Sequence, residues 1–388
     1  MCKTMSKSLK SLFMLDPDVI YLNHGSFGAS PRPVFEVYQG WQRELERQPM
    51  QLLDRRAAEL MADARATLAA YLGCQADEVV YFPNPTTAIN MVGRSLKLGP
   101  GDEILTTDHE YGAMDRTWRF LCAKSEARYV RQPLPLPVAS PDAMLEAFWR
   151  GFSPRMRVIF ISHITSQTAL TFPVAEVCRR AREAGVLCIV DGAHAPGQMP
   201  LDLPALGADI YTGACHKWLC APKGSAFLYA RPEVQSLLEP LVVSWGWESE
   251  RPSGSTFVDH HEWQGTRDLS AFLSVPAAIR FQQEHAWDAV RARCHTLAVE
   301  TRREINALTG LQPICPEEGG WFGQMFAARL PELDVEELHR RLLEEHRIEV
   351  LAHRWNGIPL LRVSFQGYND ASDSQALLEA LRRLLPGG

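Results

Sequence analysis

Asp191 and Lys217 each stand at the end of an apolar run. The run VLCIV closes on the carboxylate, and the apolar run 208–212 is followed a few residues later by the amine, which is flanked by His216 and Trp218. A carboxylate at one strand end and an amine just beyond another match what pyridoxal phosphate requires. The lysine forms a Schiff base with the aldehyde, and the anion keeps the pyridine nitrogen protonated so that the ring can draw electrons. A turn-capping aspartate and a solvated lysine account for the same two residues equally well. The surrounding elements have to decide between these readings.

Those elements repeat one pattern. Val79–Phe82 is a strand running into Asn84, Pro85, Thr86 and Thr87 and then into an amphipathic helix. Hydroxyls and free amides at a helix start suit a phosphate, although an ordinary threonine cap has the same appearance. In 102–118 a strand ends in His109 and Tyr111, rings that can stack on a flat cofactor or simply decorate a surface loop. The strand within 157–173 ends on Ser162, His163, Thr165, Ser166 and Gln167; a helix over 174–184 then leads to VLCIVD. Near the start, 17–35 reads as a short strand, a turn of small residues and a proline-marked helix start. From about 78 to 215, continuous apolar strands alternate with helices, the signature of a mostly parallel sheet covered on both faces. Ligands of such sheets bind beyond the carboxyl ends of the strands, where all of these polar clusters fall.

The remaining spacing predicts a helix over 43–72, a strand within 224–234, a long functional loop over 244–270 and helix over 271–308. A strand- and helix-rich tail reads as a smaller second domain. The expected division is a large domain over 26–270 and a small domain made of 1–25 with 271–388.

With 388 residues, 46% hydrophobic and 22% charged, the composition is that of a globular protein with a sizeable core. A net charge of −6 supplies no field for nucleic acid or anionic membrane. The apolar runs are too short to span a bilayer, and the first residues lack a secretory pattern. Nine cysteines without a CxxC pair argue against zinc and for buried free thiols, so the expected compartment is cytoplasmic and no metal is expected.

Taken together, YLNHGSFGA, NPTTAIN, DHEYGA, VDGAHAPG, CHKWLCAPKGSAFL, WQGTRDLSAFLSV and LRVSFQGYN make the chain resemble, over nearly its whole length, the class V group of fold-type I pyridoxal-phosphate enzymes, in particular its isopenicillin N epimerase-like branch. The resemblance implies an α/β fold with a mostly parallel seven-stranded sheet and a smaller C-terminal α+β domain. It also implies pyridoxal 5'-phosphate on Lys217 as an internal aldimine, with Asp191 against the pyridinium and His194 toward the phenolic oxygen, where relatives often carry glutamine. Thr86, the amide of Thr87 and His216 would hold the phosphate. Thr266 would complete the phosphate cup of a neighbouring subunit, which makes a homodimer with interfacial active sites the working unit. The ring-stacking position falls on His109 or Tyr111, and Tyr111 gives the better register. Arg362 would clamp the substrate carboxylate as a guanidinium fork, with Asn23 and His24 at the same end of the pocket.

The implied chemistry is loss of an amino acid's α-proton to Lys217 through a quinonoid intermediate. Asp191 would stay ionised because a cation lowers its pKa, and Lys217 would be partly neutral. Reprotonation from the other face, by Tyr111 or His109, gives an epimerase or racemase, the leading expectation. β-Elimination from a cysteine-derived substrate, a C–S lyase, is the alternative. Transamination and cysteine desulfuration rank lower, the latter because 345–361 has no cysteine. Trp245, Trp247, Arg251, His260 and His261 could contact a substrate or pack a dimer interface.

Overall fold

A computed structural model describes residues 9–386. Its strands are β1 (Ile20–Tyr21), β2 (Val79–Phe82), β3 (Glu103–Thr107), β4 (Arg128–Gln132), β5 (Met156–Ser162), β6 (Leu187–Asp191), β7 (Ile210–Ala214), β8 (Ala226–Ala230), β9 (Met325–Arg329), β10 (Ile348–Glu349), β11 (Leu351–Trp355) and β12 (Ile358–Ser364). Seven of them form the central sheet in the order β2-β8-β7-β6-β5-β3-β4. Its neighbours run parallel except β8, which is antiparallel to both β2 and β7.

Alternation along the strands feeds two separate cores. Val79 and Tyr81 of β2, with Cys188 and Val190 of β6, enter one core, while Val80, Phe82 and Ile189 enter the other. Burial on both faces is why these strands read as unbroken apolar runs. The chain runs outward from β3 to β4, then returns to the other side of β3 to lay down β5. That reversal opens a crevice at the carboxyl ends of β3 and β5.

The C-terminal sheet has the antiparallel order β11-β12-β9. The short β1 pairs in parallel with β10, which ties the N-terminal segment to the C-terminal region. The expected helix over 43–72 is divided. A helix over Arg32–Arg47 ends at Gln48, because Pro49 drives the residue before it out of helical geometry, and a π-helical turn (Gln51–Arg56) leads into Ala57–Leu72. The stretch 271–308 likewise breaks into Ser270–Leu273, Val275–Glu284 and Trp287–Thr309, the last entered through left-handed Ala286. The long loop 244–270 contains a helix, Thr256–Glu262, capped by the Ser255 hydroxyl accepting from the Val258 amide at 3.3 Å. No helix among the described residues is long and apolar enough to cross a membrane. The eight described cysteines are free and buried; Cys2 and the first part of segment 1–25 lie outside the described residues.

Candidate active site

Lys217 lies in the connection between the antiparallel neighbours β7 and β8, and that connection is gripped from two sides. Gly28 (φ 69°) approaches so closely that a Cβ there would stand 2.1 Å from the His216 carbonyl oxygen and 3.0 Å from Lys217 Cα. Gly197 (φ 88°) does the same on the far side, where a Cβ would meet the Trp218 carbonyl oxygen at 2.1 Å. Only glycine combines these dihedrals with this proximity. His24, expected to line the substrate end, is instead fully buried behind the turn, and burial depresses its pKa to about 3. Its Nε2–H donates to the Lys217 carbonyl at 3.0 Å, leaving Nδ1 to accept from the Tyr368 hydroxyl at 3.0 Å. Gln282 Nε2 donates to the Trp218 carbonyl at 2.9 Å.

Above this turn is a cavity lined by residues from six chain segments, among them Ser26, Thr86, Tyr111, Ser162, Asp191, His194, His216 and Lys217. A larger cleft of about 540 Å³, lined by Met156, Leu187 and Asp209, sits at the opposite ends of the strands, away from the switch point. Lys217 Nζ is 3.1 Å from His194 Nε2. Burial lowers the lysine's pKa to about 8; the Arg362 guanidinium adds to the fall and Asp191 opposes it.

Asp191, at the end of β6, is buried and accepts the Ala193 amide at 3.0 Å. Its pKa is raised, because burial outweighs both that amide and the lysine. A low pKa for this acid thus calls for a cation placed directly against it, which a protonated pyridine provides.

Thr86 reaches the cavity from the start of the helix Pro85–Ser95. Thr87 does not line it: its amide and hydroxyl both donate to Asn84 Oδ1, at 2.8 and 3.1 Å, so the sequence-expected amide is already spent on capping. His216 donates through Nδ1–H to the Ser225 carbonyl at 2.9 Å, which leaves Nε2 free, and burial first of all pulls its pKa to about 4. Thr266 is exposed and absent from this lining.

The structure separates the two candidate rings. Tyr111 is 45% exposed and lines the cavity. His109 is fully buried, with Nδ1 at 2.8 Å from Thr168 Oγ1, Nε2 at 2.9 Å from the Leu134 carbonyl and its ring 4.3 Å from Trp355. It is a core histidine turned away from the cavity, and its expected part in catalysis is corrected on that ground. Arg362 sits just behind the rim, 2% exposed. It donates to the Ser166 carbonyl and the Ser26 hydroxyl at 2.7 Å each and to Asn23 Oδ1 at 3.3 Å, while its Nε is buried without a partner. Asn23 does not line the cavity but stands one bond behind it: its Oδ1 accepts from the cavity-lining Ser26 hydroxyl at 2.6 Å as well as from Arg362, and its amide donates to Glu349 at 2.9 Å. None of Trp245, Trp247, Arg251, His260 and His261 lines the cavity.

One residue escaped the sequence reading. Glu110 is buried between Thr107 and Ser162, whose hydroxyls donate to it at 2.7 and 2.5 Å. Burial raises its pKa to about 7, partly relieved by the two hydroxyls, with Asp191 pushing further upward. Its place between two rings in DHEYGA gave no signal, since an acid in a polar loop is ordinarily solvated.

An Aminotransferase class-V family model matches residues 21–377. The chain belongs to the class-V aminotransferase family. Like other members it uses pyridoxal 5'-phosphate, and the donor set described above fits that group: a buried acid for the ring nitrogen, a depressed lysine for the aldehyde, and a hydroxyl with a helix start for the phosphate. The chain is 41% identical to isopenicillin N epimerase of Amycolatopsis lactamdurans, covering 95% of this chain and 96% of that one. It is 30% identical to a probable chloroplastic L-cysteine desulfhydrase of Arabidopsis thaliana, covering 96% and 84%. The fold matches that of the cystine C–S lyase C-DES with a TM-score of 0.82 at 23% identity, covering 95% of this chain and 99% of the other.

Proposed function

We propose that this class-V enzyme is an epimerase or racemase acting at the α-carbon of an amino acid. One observation carries the reading. Two proton-bearing side chains, Lys217 and Tyr111, line the same cavity from opposite sides of Asp191. Their parent strands, β7 and β3, are separated by β6 and β5, roughly 14 Å at ordinary strand spacing. Inversion at carbon needs a proton removed on one side and returned on the other.

When bound, pyridoxal 5'-phosphate supplies an aldehyde and an electron-withdrawing ring that make the α-proton labile. The chain's own groups do the rest. Lys217, partly neutral near pH 8, takes the proton; Tyr111 returns one from the exposed side. Asp191 holds the ring nitrogen, and His194 donates toward the phenolic oxygen. Thr86 and His216 hold the phosphate. Arg362, kept cationic and pinned by Ser26, Ser166 and Asn23, faces the substrate carboxylate.

The similarity to a cysteine desulfhydrase favours one alternative, β-elimination from a cysteine-derived substrate. Desulfuration by a persulfide route has less support, because every described cysteine is buried and none lines the cavity. The working unit is a homodimer: Thr266 is exposed and does not line its own chain's cavity, and Val243 and Trp245 expose 67% and 85% of their surface. The division into a large domain over 26–270 and a small domain of 1–25 with 271–388, and a cytoplasmic location, belong to the same reading.

Incubation with amino acids and aminoadipyl peptides in deuterated water tests it. Inverted product carrying α-deuterium is expected. Ammonia, pyruvate and sulfide from cysteine substrates, without inversion, would establish the lyase instead.

A further inference from the structure

Trp218, the residue after the lysine, points its side chain back toward the site. Its indole Nε1 lies 3.2 Å from His194 Nδ1, and the opposite nitrogen of that imidazole lies 3.1 Å from Lys217 Nζ. An indole N–H can only donate. The nitrogen it faces must therefore present a lone pair, and the single proton of a neutral imidazole is left on Nε2. The Nε2–H then points at the lysine nitrogen, and a hydrogen bond there requires the amine's lone pair. The reverse arrangement, an ammonium donating to Nε2, would put a proton on Nδ1 directly against the indole N–H. A doubly protonated ring suffers the same clash.

The lock is itself held in place. Trp218 is fully buried, its ring packs on His24 at a centroid distance of 5.1 Å, and Gly197 presses on its backbone. Gln198 Nε2 donates to the His194 carbonyl at 2.9 Å, fixing the imidazole's own backbone. We propose that Trp218 is a positioning residue: its indole N–H fixes His194 as the Nε2–H tautomer, which holds Lys217 as a neutral amine and keeps a donor ready for the cofactor's phenolic oxygen. Only the last clause rests on the proposed roles in the cofactor site. The lowered lysine and histidine pKa values run in the same direction.

Two measurements decide the matter. In ¹⁵N-histidine-labelled full-length protein, with the His194 signals assigned by their loss in His194→Gln, two-bond proton–nitrogen correlations should show a protonated Nε2 and a bare Nδ1. A protonated Nδ1 in the native protein overturns the proposal, whether or not any variant folds. Capture of pyridoxal 5'-phosphate by cofactor-stripped protein gives the second readout. Trp218→Phe should slow capture at pH 7 about tenfold and recover at pH 9, the effect of one pKa unit on the lysine. In a His194→Leu background, which offers the indole no acceptor to orient and the lysine no donor, the same substitution should change nothing. Equal slowing in both backgrounds would mean that Trp218 acts by packing alone, and the proposal falls. A protein that shows the expected tautomer yet never takes up the aldehyde would sink the cofactor roles and leave this inference standing.

Discussion

The turn that carries Lys217 and the segment 244–268 are built on opposite principles. The first is pressed between two glycines, bonded through its carbonyls to His24 and Gln282, and buried at Trp218 and Leu219. The second leaves Trp245 at 85% exposure and Trp247 at 46%, the latter resting on the imidazole of His260 at 4.8 Å. One region holds a nitrogen in a close-packed turn bonded on both sides; the other presents apolar surface and lines no part of its own chain's cavity. Proton transfer needs the first kind of order. Exposed aromatic surface fits contact with a second subunit or a substrate tail.

The contrast can be broken most forcefully at the amine itself. Lys217→Ala should lower turnover by at least about 10³-fold with the fold intact, read by steady-state rates and far-UV circular dichroism. Gly28→Ala tests the grip on the turn. With a Cβ 2.1 Å from the His216 carbonyl and a positive φ, it should cost about 2–4 kcal/mol in urea unfolding and weaken cofactor retention; a neutral result would show that the turn tolerates displacement. Arg362→Lys should raise KM roughly tenfold with a smaller change in kcat, because an ammonium cannot reproduce the fork that Ser26, Asn23 and Ser166 orient.

The lysine's depressed pKa adds a pH dependence of definite sign. The neutral amine is the reactive form, so capture of pyridoxal 5'-phosphate should climb about tenfold per pH unit and level off near pH 8 rather than near the ordinary lysine value. A midpoint near 10 would mean that burial and Arg362 are not acting. The smallest effect belongs to the exposed segment. Trp245→Ala should change the unfolding free energy by no more than about 0.5 kcal/mol. If the proposed dimer buries this residue, the same change should instead appear as dissociation in sedimentation.

The fold was legible because the strands of the central sheet are buried on both faces. Val79–Phe82 and Leu187–Asp191 therefore appear as short apolar runs bounded by polar turns, and Asp191 and Lys217 stood out at the ends of such runs. Local punctuation was harder to weigh. Pro49 ended a helix that periodicity alone carried onward, and Ser255 started one inside an apparent loop. Within the site, residue type misled where burial decides the role. His109 and His24 have the chemistry of active-site groups but spend both nitrogens on core partners, and Thr87 spends its amide on Asn84. Glu110 was passed over because nothing in DHEYGA shows that its carboxyl turns inward.

The sequence by itself determined the alternation of strand and helix, the polar edge of the sheet and the lysine–carboxylate pair, because these follow from local periodicity and from chemistry that few residue types can perform. Only the tertiary structure decided which ring faces the cavity, which nitrogen of His194 meets the lysine, and that Gly28 and Gly197 close on the same turn. Those relations join residues far apart in the chain, and the donors, acceptors and close approaches that fix them exist only after the elements have packed.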